Sequence, residues 1–366
     1  MNKQKPLAAV IGLGLIGGSA AKCLAKEYQV IGYDPNHFFL QTALQEGVLQ
    51  EGYYDPNSRL ADCTIIYLAA PVQACCNILQ TLPQLVTPKT IVTDLCSTKQ
   101  EIISCAIQNK LRFVGGHPMA GSEQSGYTAS HTRLMENAYY LVVPSNTEDH
   151  QAINLVCQIA NKLFRAIPLI LSPQQHDMAV GLISHLPHVV SASLVNLVRQ
   201  QDTPDHLLQK IAAGGFRDIT RISSSDPSLW NGICISNCRV LSGLLEQMAN
   251  DLTLFSQQLR ENHPVTSLFQ SAKEYRDEIE GGLKNEQGYE LKMDVEDRPG
   301  VIGQIATLLG AKGINITNIN ISNSREFEGG VLRVRVKYQE DVARAIKLLQ
   351  QQGYYAKTNE KEGTVQ

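Results

Sequence analysis

The sequence predicts an α/β chain in three parts: a mostly parallel sheet with helices on both faces, then an all-α segment, then a small βαββαβ module of the ferredoxin-like kind. Three patterns carry this. Short apolar strands alternate with helical stretches up to residue 172. From 173 to 282 the apolar residues recur at helical spacing, and from 288 to 360 the order is β, α, β, β, α, β. The 366 residues, 43% hydrophobic and 18% charged, suit two or three packed domains. A net charge of −3 offers nothing to attract nucleic acid or an anionic membrane. No apolar run reads as long enough to span a bilayer, and the start, MNKQKP, lacks the apolar stretch of a signal peptide. Nine cysteines without C-x-x-C spacing suit reduced thiols packed as small hydrophobes and a cytoplasmic address.

The first strand, Leu7 to Ile11, runs into GLGLIGGS at 12 to 19, and a helix follows over Ser19 to Lys26. Gly12, Gly14 and Gly17 have the G-x-G-x-x-G spacing of a dinucleotide-binding turn, with Leu15 and Ile16 between the last two. In that role the first glycine allows the tight turn, the second lets backbone approach a pyrophosphate, and the third lets helix pack on strand. The helix N-terminus then offers N–H groups and partial positive charge to the phosphates. The second strand, QVIGYD, ends at Asp34, twenty residues after Gly14. That is the place for a carboxylate on the ribose hydroxyls, which favours NAD over NADP. The alternative is an Asp34 that caps the next helix. Together these features predict a Rossmann-type dinucleotide-binding domain over 1–172.

The remaining strands are CTIIYLAA, TIVTDL, RFVGG, AYYLVVP and AIPLIL. Ligands of such sheets lie beyond the carboxyl ends of the strands, so residues there are candidates for chemistry. FVGGHPMAGSEQSG puts His117 at such an end, where an imidazole can take a proton near neutral pH; the alternative is a histidine that caps a turn. TDLCSTK puts Ser97 at another, either donating to a substrate or orienting His117, or serving as an N-cap.

Ser172-Pro173 is a helix start, and HDMAVGLISHLPH then places His176, His185 and His188 on one helix. His185 and His188 share a face, but two histidines without a third ligand make a poor zinc site, so no metal is expected. Arg217 and Arg221, one turn apart, suit a substrate with two carboxylates, or form surface ion pairs with Asp218 and Asp226. Residues 230–262 read as one long helix, with apolar surface enough to pair with a second chain. EGGLKNEQG, at 280 to 288, reads as a linker ending the helical domain, 173–282.

GLGLIGGS, DLCSTK, GGHPMAGSE, HD…SHLPH and GGFRDITRI…DPSLW, in this order along nearly the whole chain, resemble the bacterial prephenate dehydrogenase family in its form with a C-terminal ACT domain. The resemblance implies oxidative decarboxylation of prephenate with NAD in tyrosine biosynthesis; arogenate is the alternative substrate. It implies that His117 is the catalytic histidine, assisted by Ser97, and that His185 is a second active-site histidine. Glu123, beside Ser122, would lie at the site's mouth. Arg221 would grip a substrate carboxylate, with Arg217 a further basic residue and Trp230 an aromatic near the pocket. It further implies a homodimer formed through the helical domain. The module at 288–360 would be an ACT domain binding tyrosine as effector through Asp297, Arg298, Pro299, Gly300 and Asn315. Cys96 stands where the family usually has glycine, so its side chain is expected close to the cofactor path.

Overall fold

The computed structural model describes residues 5–122, 124–287, 289–296, 298–323 and 329–358. It divides into two compact units, Met1–Leu252 and Thr253–Gln366.

The first unit opens with β1 (Leu7–Ile11), α1 (Leu15–Leu24), β2 (Gln29–Tyr33), α2 (His37–Gln45), β3 (Glu51–Tyr53), β4 (Ile65–Leu68), α3 (Val72–Thr81), β5 (Ile91–Asp94), α4 (Gln100–Gln108), β6 (Phe113–Pro118), β7 (Tyr139–Pro144), α5 (His150–Lys162) and β8 (Ile167–Ile170). One eight-stranded sheet results, in the order β3-β2-β1-β4-β5-β6-β7-β8. Its pairs are parallel except β6 with β7, where the direction reverses. The inner strands β1, β4 and β7 are continuous apolar runs because both faces are covered, whereas the edge strand β8 is largely exposed. Ala8 and Val10 of β1 face a core shared with α1, α2 and α5, whereas Ala9 and Ile11 face one shared with α3 and α4. The short β3 has no apolar run of its own and was not foreseen. Edge pairing with β2, through Ile31↔Glu51 to Tyr33↔Tyr53, creates it.

The helical segment comprises α6 (Pro173–Val180), α7 (Leu186–Gln201), α8 (Leu207–Ile211), α9 (Gly214–Thr220), α10 (Pro227–Ser236), α11 (Cys238–Arg260) and α12 (Thr266–Gln287). Ser172 caps α6 in a reciprocal capping box with Gln175, and Pro173 fills the first turn, as the pair predicts. Between α6 and α7 the chain widens into a π-helical turn, Gly181–His185. Three sequence expectations fail here. The single helix over 230–262 is broken at Asn237 (φ −115°, ψ 25°), whose buried side chain is held by groups on α6 and the π-turn. The linker at 280–288 is helical to Gln287: α12 runs through both glycines. The stretch Pro173–Gln201 is also long and apolar enough, by length and composition, to cross a bilayer, contrary to the sequence reading. Its His176, Asp177 and His185 are buried against protein partners, which is how a helix packed within a protein treats polar groups.

The second unit takes the end of α11, then α12, then β9 (Tyr289–Glu296), α13 (Val301–Gly310), β10 (Ile316–Asn323), β11 (Gly329–Val336), α14 (Gln339–Gln351) and β12 (Tyr355–Thr358). The strands form an antiparallel sheet, β10-β11-β9-β12, the ferredoxin-like order. Leu291, Met293 and Val295 alternate inward with Leu332, Val334 and Val336, against Ile305 and Leu309 of α13 and Ala345 and Leu349 of α14.

Candidate active site

The glycine turn has the geometry a dinucleotide needs. Gly12 has φ +97°, and a Cβ there would lie 2.5 Å from the carbonyl oxygen of Ala69. A Cβ on Gly17 would lie 1.9 Å from the Gly12 carbonyl oxygen, so only glycine lets α1 pack this close to β1. Beside Gly14, by contrast, a Cβ would meet nothing within 4 Å, which leaves room for a ligand's phosphates. Gly14 is the N-cap of α1 and no side chain caps it, so the first turn, with Leu15 and Ile16, presents backbone N–H groups. Asp34 lies at the end of β2, where its carboxylate accepts from the backbone N–H of Leu13 at 2.6 Å and of Asn36 at 2.8 Å. It does not cap α2; Asn36 does. These residues fit a dinucleotide. Substituting Gly17→Ala is expected to weaken nucleotide binding at least tenfold, measured by cofactor titration, because the backbone of the turn must move aside.

The ends of β5 and β6 are held by a buried ion pair. The Lys99 ammonium donates to the Asp94 carboxylate at 2.5 Å, and to the carbonyls of Cys96 at 2.8 Å and Thr98 at 3.1 Å. Asp94 also accepts from the backbone N–H of Cys96 and of Gly116, both at 3.0 Å. Both side chains have no exposed surface. The paired glycines of GGHP answer to this packing: a Cβ on Gly115 would press on Lys99, and one on Gly116 on Tyr140. His117, the next residue, is thereby fixed at the carboxyl edge of the sheet.

Ser97, half-buried in the β5–α4 loop, is not the cap of α4. The N-cap is Lys99, and its N–H and that of Gln100 donate to the Asp177 carboxylate at 2.8 and 2.9 Å. Thus α6 supplies the cap that α4 lacks. The same carboxylate oxygen that takes the Lys99 N–H lies 2.7 Å from Nδ1 of His176, whose Nε2 lies 2.9 Å from Nδ1 of His117. The tautomers follow from this chain. Ionised Asp177 only accepts, so His176 carries its proton on Nδ1 and accepts at Nε2. His117 must then carry its proton on Nδ1, which leaves Nε2 as its basic nitrogen. Burial, then the Lys99 charge, then His176 and His185, hold the His117 pKa well below the usual histidine value. Burial raises Asp177, but the bonds from His176, Gln100 and Lys99 outweigh it and keep the carboxyl below its ordinary range.

His185 is buried in the π-turn, and its Nδ1 is 3.1 Å from the amide nitrogen of Asn237, which also donates to the Asp177 carbonyl at 2.9 Å. Accepting at Nδ1, His185 presents N–H at Nε2; burial lowers its pKa to about 4, so it is a neutral donor rather than a base. Trp230 stacks on His188, with ring centroids 3.4 Å apart, and meets His185 edge-on. Nε2 of His188 is buried with no hydrogen-bond partner among the described residues, a polar atom that a ligand could satisfy.

The structure therefore brings together His117, His185 and Trp230, adding His176, Asp177, His188 and Asn237. Arg217 on α9 and Arg221, which follows it, are exposed on a segment packed on α7, where Ser191 bonds the Ile219 carbonyl and Ser223. Ser122 is exposed and accepts from the Gln124 N–H, and Glu123 lies outside the described residues. The Cys96 side chain is buried in the core beneath α3, 3.6 Å from the Cys75 sulfur and 3.4 Å from the carbonyl oxygen of Ala70, whose neighbour Ala69 packs on Gly12. In the second unit, Gly300 (φ +87°) is the N-cap of α13, Arg298 donates to Gln304, Pro299 and Asn315 are exposed, and Asp297 lies outside the described residues. The sequence held a signal for the missed residues of α6: HD directly after a capping box.

The chain is similar to known proteins in each of its three parts. Residues 19–167 match the family model for the prephenate dehydrogenase nucleotide-binding domain, 172–274 that for its dimerization domain, and 289–353 that for the ACT domain. The chain is 35% identical to the prephenate dehydrogenase of Bacillus subtilis over 97% of its own length and 98% of that protein. A crystal structure of prephenate dehydrogenase from Aquifex aeolicus with hydroxyphenyl propionate and NAD+ matches with a TM-score of 0.70 and 28% identity, covering 76% of this chain and 100% of that one. Arogenate dehydrogenase from Synechocystis matches with a TM-score of 0.67 and 30% identity, covering 75% and 99%. The chain belongs to the prephenate dehydrogenase family, with a C-terminal ACT domain.

Proposed function

We propose that this chain catalyses NAD-dependent oxidative decarboxylation of prephenate to 4-hydroxyphenylpyruvate. The observation that carries this is the state of His117: a neutral imidazole at the sheet's carboxyl edge, with its Nδ1 engaged by His176 and its basic Nε2 left for a substrate. NAD, held on the glycine turn with Asp34 at its ribose, supplies the hydride acceptor. His117 takes the proton of the ring hydroxyl as the C–O bond gains double-bond character, and Ser97 assists by donating to the substrate. Loss of the ring carboxylate as carbon dioxide yields the aromatic product, so the protein needs positioning and one base. His185 and His188 bind the substrate as neutral groups beside Trp230, with Ser122 and Glu123 at the mouth. Arg221, with Arg217 near it, holds a carboxylate.

The assay is release of carbon dioxide and NADH from prephenate, run beside arogenate at equal concentration. Arogenate is the second reading, favoured by the likeness to the Synechocystis enzyme. Turnover of neither compound overturns the proposal. Arg221→Ala is expected to raise KM roughly tenfold with a smaller change in kcat, since its contact forms before the transition state; steady-state kinetics measure the split.

The helical segment is the proposed seat of a homodimer; it matches the family's dimerization domain, and Ile235, Leu252 and Phe269 are exposed apolar residues on its last helices. The ACT module, 288–360, is proposed to bind tyrosine at the β9–α13 turn (Asp297, Arg298, Pro299, Gly300) and Asn315. Tyrosine that neither binds nor alters turnover would reject this. A cytoplasmic setting is proposed with this, on the composition of the nine cysteines, none in C-x-x-C spacing.

A further inference from the structure

His117 and His176 share a hydrogen bond but sit among opposite charges. The groups acting on His117 are Lys99 from the start of α4, His176 from α6 and His185 from the π-turn, and all three oppose a positive imidazole. Burial, with Lys99, holds His176 below the usual histidine value too, but His176 also faces two carboxylates that oppose that fall, Asp177 at 2.7 Å and Asp94 at the end of β5, and His117 faces none. A proton arriving on Nε2 of His117 therefore has a better place to go, one hydrogen bond away. The path is already formed, because Nδ1 of His117 lies 2.9 Å from Nε2 of His176.

We infer that the substrate's proton is not kept by His117 but is relayed to His176, where Asp177 balances the charge, making His176 and Asp177 the proton store of the reaction. The inference rests on the proposed role of His117 as base. In the step, the substrate O–H bond breaks and an N–H bond forms at Nε2 of His117. The Nδ1–H bond of His117 breaks, and its proton binds Nε2 of His176. His117 returns to neutrality in its other tautomer, and His176 becomes an imidazolium bonded through Nδ1–H to the Asp177 carboxylate. The electron pair of the C–H bond leaves as hydride to NAD, so charge and atoms balance. Reversal of the shuttle after product release resets the tautomers. Asp177 also caps α4, so His176 is the cleaner residue to change.

Two measurements test this. The first needs no turnover. In the full chain labelled with 15N-histidine, NMR should find both His117 and His176 neutral and protonated on Nδ1; His117 protonated on Nε2 overturns the relay. The second is His176→Gln, in which the amide oxygen can still accept from His117 Nδ1–H but no second base remains. We expect kcat to fall about 10²-fold, in the range for loss of a proton-transfer partner. The acid limb of the pH profile should move to lower pH, because the proton can then rest only on His117 beside Lys99. An unmoved limb, or an unchanged kcat, overturns the relay. A wild-type chain that turns over neither prephenate nor arogenate refutes the proposed function, whereas the NMR result tests separately the tautomers on which the relay depends.

Discussion

Replacing His117 by asparagine is expected to lower kcat by about 10²- to 10⁴-fold while leaving NAD affinity and folding nearly unchanged. The magnitude is that of removing a general base. Asparagine keeps a side chain of similar reach at the end of β6 but has no nitrogen that takes a proton near neutral pH. The glycine turn and Asp34 lie at the ends of β1 and β2, and β4 and β5 separate β1 from the strand that carries residue 117. Stopped-flow turnover with a fluorescence titration of NADH measures both quantities. Near-normal turnover in the variant excludes His117 as the base.

The second large effect is on stability. Lys99→Met is expected to cost about 3–5 kcal/mol, the usual consequence of leaving a buried charge without its partner. Asp94 has no exposed surface, and after the change its carboxylate keeps only the backbone N–H groups of Cys96 and Gly116. In a unit of this size that loss corresponds to a fall in Tm of roughly 10 °C. Adding Asp94→Asn should recover part of it, because a neutral amide removes the unpaired charge. A single variant that melts with the wild type would mean that the pair contributes nothing to stability. The single variant should also disturb catalysis, since Asp94 holds Gly116, the residue before His117.

These two residues mark how far the sequence could be read. The position of His117 was legible because it ends a strand, and ligands of a doubly wound sheet lie beyond the carboxyl ends of its strands. Lys99 was visible as a lysine in the Ser97 loop, but its partner was not, because Asp94 reads as the last residue of a strand. The same holds for the helices. Ser172 and Pro173 announced α6 through local capping chemistry, whereas the break at Asn237 carries no local signal, being made by bonds to residues some fifty to sixty positions earlier.

The sequence by itself determined the order of most elements, the glycine turn with Asp34, the βαββαβ module and the place of His117. All of these rest on interactions within a few residues or on periodicities that burial imposes along one segment. Only the tertiary structure decided that Asp177 caps α4, that His176 joins it to His117, that Cys96 turns into the core, and that β7 runs against β6. Each is a pairing between segments distant in the chain, set by which polar groups remain unsatisfied once the apolar faces have closed. A linear pattern records hydrophobicity and local bonds, and it does not record which distant partner fills a buried hydrogen bond.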